Sequence, residues 1–498
     1  MASKAYLAFD LGAESGRAML GVLSGNRLEL HEVHRFANTL HQMPDGLHWN
    51  TIGLWANLVE GLGKAVAYCN DHELSLASLG VDTWGVDFGL IGNSGGLLGV
   101  PFAYREPRNH AAADQVVDQI GAEALYEQTG LQFLPFNTLF QLVALKQSEP
   151  GLLGQARHLL WTPDLLHYFF TGRAMHEYSI ASTSQMIDPR TGSWATQLLG
   201  RLGLPMDMLG EIELPGTPVG QLRRELAREV GAPLELRVIA PAGHDTASAV
   251  AAVPAAADRD DWCYLSSGTW SLMGAELAQP CITDAARAAN FTNEGGVNRT
   301  TRFLKNIAGL WLVQETRRAY EKQGQSHDYE QLTAMAEQAP AFATLVDPDH
   351  PPFMQPGDMP GKIAAFAEKT GQPRPETVGQ FVRCCLESLA LTYRQTLENL
   401  ESVLDRRFEV IHIVGGGGRN ELLNQMTADA TGRPVTAGPY EATAAGNVLV
   451  QAMGGGDIAD LAEVRQVIRG SFEPKTYEPT DTARWDDACA RYQQVIGQ

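Results

Sequence analysis

Two stretches of this chain, far apart in sequence, open on the same pattern, and that pattern restricts the possible folds more than any other feature. Residues 5–9 are apolar, 10–16 form a polar turn and 17–23 are apolar again. Residues 28–36 then alternate, with Leu28, Leu30, Val33 and Phe36 among polar neighbours. The second half repeats the theme: 262–265 are apolar, 266–269 a turn, 270–275 apolar, and 301–307 a third strand. Short apolar runs bounded by Gly, Ser and Asp predict strands joined by tight turns.

Each opening leads into alternating helices and strands. A helix is expected from Thr51, where Leu54, Leu58, Leu62, Val66 and Cys69 recur at helical spacing. Two short strands, 79–82 and 86–91, flank Thr83, Trp84 and Gly85. Amphipathic helices are expected at 309–321 and 378–403, the latter through Phe381, Val382, Leu389, Tyr393, Leu397 and Leu400. A buried-type strand at 410–414 runs into a glycine-rich turn and a helix. Helical pieces at 111–120, 139–147 and 163–170 lie in a mixed region, 100–235, that reads as a substrate-facing insertion. Residues 346–361, rich in Pro, Gly and Asp, read as a surface loop. Such alternation predicts an α/β chain in two lobes, a repeat of structure rather than of sequence.

Composition narrows the function. With 498 residues there is room for a large core and roughly two or three domains. A net charge of −20 speaks against a nucleic-acid partner, which needs clustered Lys and Arg. It leaves ATP open, because backbone N–H groups and Mg²⁺ can hold its phosphates. Six cysteines without CxxC spacing suit a reducing cytoplasm. The N-terminal apolar run is too short for a signal peptide, and no stretch approaches the ~18 apolar residues of a membrane span.

The turn Asp10-Leu11-Gly12-Ala13-Glu14-Ser15-Gly16-Arg17 could aim backbone N–H groups at phosphates, with Asp10 holding hydrated Mg²⁺ and Arg17 offsetting charge. A plain hairpin has the same composition, and the turn ending at Thr269 carries the same ambiguity. Residues 415–420, GGGGRN, suit close approach of backbone to a nucleotide. They are no GxGxxG, because Glu421 stands where the third glycine belongs, and neither Gly63-Lys64 nor Gly361-Lys362 completes a Walker A motif. Asp245 precedes a small-residue helix and reads as an N-cap, as a general base kept ionised by the helix's positive end, or as both, since the two readings are compatible. Asp82 and Asp87 are candidates for a polyol contact or for turn caps. Asn306 and Gln314 lie around the start of a helix, where polar residues are commonplace, and Leu310, Trp311 and Val313 read as core. His244 could bind substrate or merely cap, and no other His or Cys gives it metal-ligand spacing. Taken together, a carboxylate and a phosphate-type turn point to phosphoryl transfer to a hydroxyl.

In this order, DLGAESGR, GVDTWGVDF, AGHDTASAV, YLSSGTWSLMG, LKNIAGLW and IVGGGGRN resemble the FGGY carbohydrate kinases. The resemblance runs from about residue 5 to about residue 475, and HDTASAV and SSGTWSLMG are similar to the branch that acts on L-rhamnulose. It implies a two-lobed actin-like ATPase (ribonuclease H-like) α/β fold with a central ligand cleft. Residues 1–245 would form the sugar-binding lobe with the first phosphate hairpin, and 246–498 the ATP-binding lobe with the second. The implied reaction is ATP-dependent phosphorylation of L-rhamnulose at its 1-hydroxyl, with Asp245 as base. Ala13, Glu14, Ser15, Gly16, Arg17, Thr269, Gln314 and Gly416 match the family's ATP contacts. Gly85, His244, Asp245, Thr246 and Asn306 match its sugar contacts. Glu14, whose charge opposes phosphate, is expected to serve through its backbone. The alternatives are a related kinase for L-fuculose, L-xylulose or a similar polyol, and a non-catalytic actin-like ATPase signalling to a protein partner. A Rossmann oxidoreductase is disfavoured by the missing GxGxxG.

Overall fold

The computed structural model describes residues 3–256 and 259–497. The chain forms two units: Met1–Ala257, Glu276–Phe303 and Ala442–Phe472 make the first, and Asp258–Ala275, Leu304–Glu441 and Glu473–Gln498 the second.

The first unit is built on strands β1 (Lys4–Leu11), β2 (Ser15–Ser24), β3 (Arg27–Ala37), β4 (Ser75–Thr83), β5 (Pro218–Gln221) and β6 (Arg237–Ile239). Their order in one six-stranded sheet is β5-β6-β4-β1-β2-β3. The hairpins β1–β2 and β2–β3 are antiparallel, whereas β4 lies parallel to both β1 and β6. Period-2 alternation sorts β1 into two faces. Leu7, Phe9 and Leu11 share a buried cluster with Leu54, Leu58, Leu62 and Cys69 of the helix Thr51–Asp71. Asp10 takes the other face. Asn50 caps that helix by accepting the Gly53 N–H, and it begins where the sequence predicts.

The helix Ala442–Gly454 packs against the helix Asp245–Ala251 and against the sheet. The mixed region contains the helices Arg108–Ile120, Thr138–Ser148 and Thr162–Thr171. Val116, Leu139, Leu142, Trp161, Leu198 and Met208 form a buried cluster there, distinct from the one behind β1.

The second unit contains β7 (Trp262–Ser267), β8 (Ser271–Leu277) up to Ala275, β9 (Thr301–Ile307) from Leu304, β10 (Val410–Val414), β11 (Val435–Ala437) and β12 (Lys475–Tyr477); Glu276 and Leu277 of β8 and Thr301–Phe303 of β9 belong to the first unit. Among these six strands the order runs β9-β8-β7-β10-β11-β12. The pair β7–β8 is antiparallel, and β10 is parallel to β7, so the strand–turn–strand opening does recur. The helix Val378–Leu404 starts with a capping box from Thr377 and Gln380. Its Tyr393 hydroxyl meets Ser271 Oγ at 2.7 Å.

Two expectations need correction. Residues 346–361 are not simply a surface loop: Pro351–Met354 is a short 3₁₀ turn with Phe353 fully buried, and a helix starts at Met359. Pro360 in its first turn initiates that helix, with Asp358 accepting the Gly361 N–H, where composition alone suggested a break. The strand expected from Val86 begins instead at Phe88, because Val86 adopts φ 68°. No helix among the described residues is long and apolar enough to cross a membrane, and all six cysteines are free.

Candidate active site

The first unit gathers Gly85, His244, Asp245 and Thr246 at one end of β4. Thr83 donates its N–H to Gly243 O at 2.9 Å, tying the AGHD segment to that strand. From the other side the buried carboxylate of Glu177 accepts the Gly243 N–H at 2.8 Å, and Ser179 Oγ accepts the His244 N–H at 3.2 Å. Burial raises the Glu177 pKa even though Ser179, Ile180 and Gly243 all donate to it. An added Cβ at Gly85 would lie 3.4 Å from His244 Nε2 and 3.4 Å from Thr183, so these three groups converge.

Next to Gly85, Val86 is a β-branched residue in the left-handed region, an uncommon and costly conformation. Its N–H donates to Thr183 Oγ1 (3.2 Å), and its carbonyl accepts from Thr138 Oγ1 (2.6 Å) and Gln141 Nε2 (3.3 Å). Several side chains thus hold this strained residue beside the convergent polar groups.

Asp245 is the first residue of its seven-residue helix rather than the N-cap, which is His244. Asp245 Oδ1 accepts from the Thr246 N–H (2.5 Å) and Thr246 Oγ1 (3.0 Å) and lies 3.5 Å from His244 Nε2. The side chain is 31% exposed, and Oδ2 takes no bond from any described residue. One oxygen is thus anchored while the other is offered to a ligand, as a general base requires.

Asp10 and Asp82 are register partners on β1 and β4, which puts both carboxylates on one face. Arg17, opposite Asp10 across the hairpin, binds its Oδ2 at 2.5 Å. Asp82 Oδ2 accepts from Asn447 Nδ2 at 2.5 Å. Asn447 Oδ1 in turn accepts from Gln451 Nε2 (2.6 Å), and Gln451 Oε1 from Ser78 Oγ (2.8 Å). Burial first, then the Asp10 carboxylate, push the Asp82 pKa well above the usual range. Its Oδ1 is buried without a hydrogen-bond partner. Adjacent carboxylates, one with an orphaned oxygen, fit a hydrated divalent cation. The described residues hold no cluster of three or more acidic, His or Cys ligands, so an all-protein cage does not fit.

The hairpin between β1 and β2 closes through Gly12 N–H to Ser15 O at 2.9 Å. Asn38 staples it, donating its backbone N–H to Glu14 O and its Nδ2 to Gly12 O, both at 3.0 Å. Ala13 and Ser15 are half-buried, Gly16 is buried, and Glu14 is exposed.

Asp87 belongs to the interior instead of a polyol site. Its Oδ2 accepts from Trp49 Nε1 (2.6 Å), Trp84 Nε1 (2.9 Å) and the Tyr104 N–H (3.2 Å), and its Oδ1 from Gln141 Nε2 (3.0 Å). Burial pushes its pKa up to about 6 against the pull of those donors. The folded state therefore keeps a proton that the unfolded chain has lost, and this group's contribution falls as pH rises from about 4 to about 6 and is level above. Asp87→Asn removes that slope. In urea titrations the variant should gain on wild type by on the order of 3 kcal/mol across the window; parallel stability curves would contradict this.

The second unit assembles Thr269, Gln314 and Gly416. The β7–β8 turn is clamped by Leu310 N–H to Gly268 O (3.1 Å) and Trp311 N–H to Thr269 O (3.0 Å). Gly309 (φ 44°) allows that approach, since an added Cβ would sit 2.5 Å from the Trp270 carbonyl carbon. The helix Trp311–Lys322 then carries Gln314, whose Oε1 is buried with no hydrogen-bond partner. Trp311 and Val313 are core, as expected, and Leu310 is half-buried. Gly416 is exposed, with nothing within 4 Å of an added Cβ, while Gly415 and Gly417 press on Ser267. Asn306, half-buried on β9, also belongs to this unit.

The sequence did not single out Glu177, Thr183, Asn38, Asn447, Glu294 or Arg302. Each reaches the site only through contacts between distant segments, and none stands in a motif with local spacing.

The fold is that of the actin-like ATPases. Gluconate kinase from Lactobacillus acidophilus superposes with TM-score 0.79 at 15% identity, covering 100% of this chain and 96% of that one. Xylulose kinase from Rhodospirillum rubrum gives 0.78 at 19% identity, covering 99% and 98%. The family models for the N-terminal and C-terminal domains of the FGGY family of carbohydrate kinases match residues 5–252 and 263–455, and the chain belongs to that family. A relative named Rhamnulokinase from Bacteroides thetaiotaomicron is 45% identical over 491 residues, covering 99% of each chain. Another of that name from Halalkalibacterium halodurans is 40% identical over 475 residues, covering 95% of this chain and 99% of its own. A third, from Bacillus subtilis, is 37% identical over 491 residues, covering 99% and 98%.

Proposed function

We propose that this chain transfers the γ-phosphoryl group of ATP to the 1-hydroxyl of L-rhamnulose, giving L-rhamnulose 1-phosphate for L-rhamnose breakdown, and works in the cytoplasm. The full-length kinship with the proteins named Rhamnulokinase supports the substrate. The observation that carries the chemistry is Asp245, with Oδ1 anchored by Thr246 and Oδ2 uncommitted.

In this reading Asp245 Oδ2 takes the proton of the 1-hydroxyl while that oxygen bonds to the γ-phosphorus. The bond from the γ-phosphorus to the bridging oxygen breaks, and ADP leaves with the electron pair. Gly85, His244, Thr246 and Asn306 bind and orient the ketose. Ala13, Ser15, Gly16 and the backbone of Glu14 receive phosphate oxygens, and Arg17 offsets charge on them. Thr269 is the corresponding group of the second hairpin. Gln314, through its unpartnered Oε1, and the open backbone at Gly416 take the nucleoside end. Asp10, beside Asp82, would hold Mg²⁺ through water. The ion, when bound, neutralises phosphate charge.

Regiochemistry tests the reading. Incubated with ATP and L-rhamnulose, the protein should yield a phosphate ester whose ³¹P signal couples to the C1 methylene protons. Coupling to any other carbon position, or no ester at all, contradicts it.

A further inference from the structure

His244 is held from behind by a buried ion pair that the sugar contacts above do not include. Glu294, on the strand Thr292–Gly295, is 5% exposed, and Arg302, on β9, is fully buried. Arg302 Nη2 lies 3.1 Å from Glu294 Oε2 and 3.1 Å from His244 Nδ1. Glu294 Oε2 is 3.3 Å from the same ring nitrogen. Arg302 Nε donates to Gly295 O at 2.8 Å, which ties the guanidinium to the strand carrying Glu294. Burial opposes ionisation of Glu294, but the Arg302 guanidinium beside it holds its pKa below the ordinary carboxylate value. The other edge of the ring faces the reaction, with Nε2 3.5 Å from Asp245 Oδ1.

The available donors decide where the ring proton sits. Arg302 offers only N–H groups, so Nη2 aimed at Nδ1 requires the lone pair there, and a neutral ring then carries its proton on Nε2. The opposite tautomer would turn a bare Nε2 lone pair toward the Asp245 carboxylate.

We infer that Glu294 and Arg302 are positioning residues that fix the ring and tautomer of His244, so that its Nε2–H donates to a sugar oxygen next to the hydroxyl that Asp245 deprotonates. This rests on the reading of His244 and Asp245 as sugar-facing groups. It specifies the substrate further: an oxygen able to accept a hydrogen bond must stand on the carbon next to the reacting hydroxyl, as it does at C2 of a ketose.

The double variant Glu294→Met, Arg302→Met removes both charges together, and replacing a buried ion pair by apolar side chains commonly preserves a fold. It should melt close to wild type, raise KM for L-rhamnulose by about tenfold or more and leave KM for ATP within about twofold. Arg302→Met alone leaves Glu294 to draw the ring proton to Nδ1. Ring ¹⁵N spectra of histidine-labelled protein at about pH 8, with His244 assigned by its absence from His244→Asn, read this directly. Wild type should show the proton on Nε2, and Arg302→Met on Nδ1. A wild-type ring bare at Nε2, or a folded double variant with wild-type KM for the sugar, overturns the inference. The ring spectra need no sugar. If they come out as expected but wild type does not turn over L-rhamnulose, the substrate reading fails and the fixing of the ring stands.

Discussion

Asp245→Asn is expected to lower kcat for L-rhamnulose by about 10²–10⁴ while KM for ATP stays within about twofold of wild type. The substitution is nearly isosteric. Its carbonyl oxygen can still accept from the Thr246 N–H and Oγ1, which hold Oδ1 at 2.5 and 3.0 Å in the wild type. What changes is the free position: an amide nitrogen replaces the uncommitted Oδ2 and has no lone pair for the hydroxyl proton. The fold and the nucleotide groups of the second unit are untouched, so the loss should fall on turnover. Steady-state kinetics with both substrates varied, beside a thermal melt, makes the check. Near-wild-type turnover would remove Asp245 from the role of base.

Gly446→Val is expected to destabilise the first unit by about 3 kcal/mol or more, and to lower activity further than the lost folded fraction explains. Gly446 lies in the helix Ala442–Gly454, where it meets the helix Asp245–Ala251. An added Cβ would lie 1.8 Å from Ser248 O and 2.6 Å from the Ser248 carbonyl carbon. Both atoms are backbone, so no rotamer change relieves the overlap and the two helices must separate. One of them begins with Asp245, and the other carries Asn447, which binds Asp82 at 2.5 Å. Chemical denaturation and kcat per folded molecule, measured on the same preparation, test the claim. A variant as stable and active as wild type would show that this contact does not position the site.

Much of the architecture was legible because periodicity reports local structure. The strand Val410–Val414 follows from its apolar run, Thr301–Ile307 from its place after the second strand–turn–strand opening, and the helix Val378–Leu404 from the spacing of its core residues. The paired strand–turn–strand openings pointed to two lobes, and the chain is built on two units. Where local pattern competes with distant contacts, the reading slips. Val86 looks like a strand residue, yet Thr138, Gln141 and Thr183 hold its backbone in a left-handed turn. Pro360 looks like a break and starts a helix. Asp82 and Asp87 are indistinguishable in sequence. Register with β1 sets one beside Asp10, and two indoles enclose the other.

The site divides in the same way. Asp245 drew notice because it opens a helix after a short strand, although His244 is the cap. The groups that hold this segment, Glu177 at Gly243 and the Glu294–Arg302 pair at His244, come from far along the chain. Nothing near them in sequence records the contact.

If this FGGY kinase serves L-rhamnulose, that ketose should outcompete related acceptors. ADP release coupled to NADH oxidation should be followed with L-rhamnulose, L-fuculose, L-xylulose and glycerol, each over a range of concentrations with ATP saturating. The expected result is a kcat/KM for L-rhamnulose well above each of the others, because a hydrogen-bonding site discriminates hydroxyl orientation strongly. Equal or higher kcat/KM for any of the other three, or ADP release that no sugar stimulates, would contradict it.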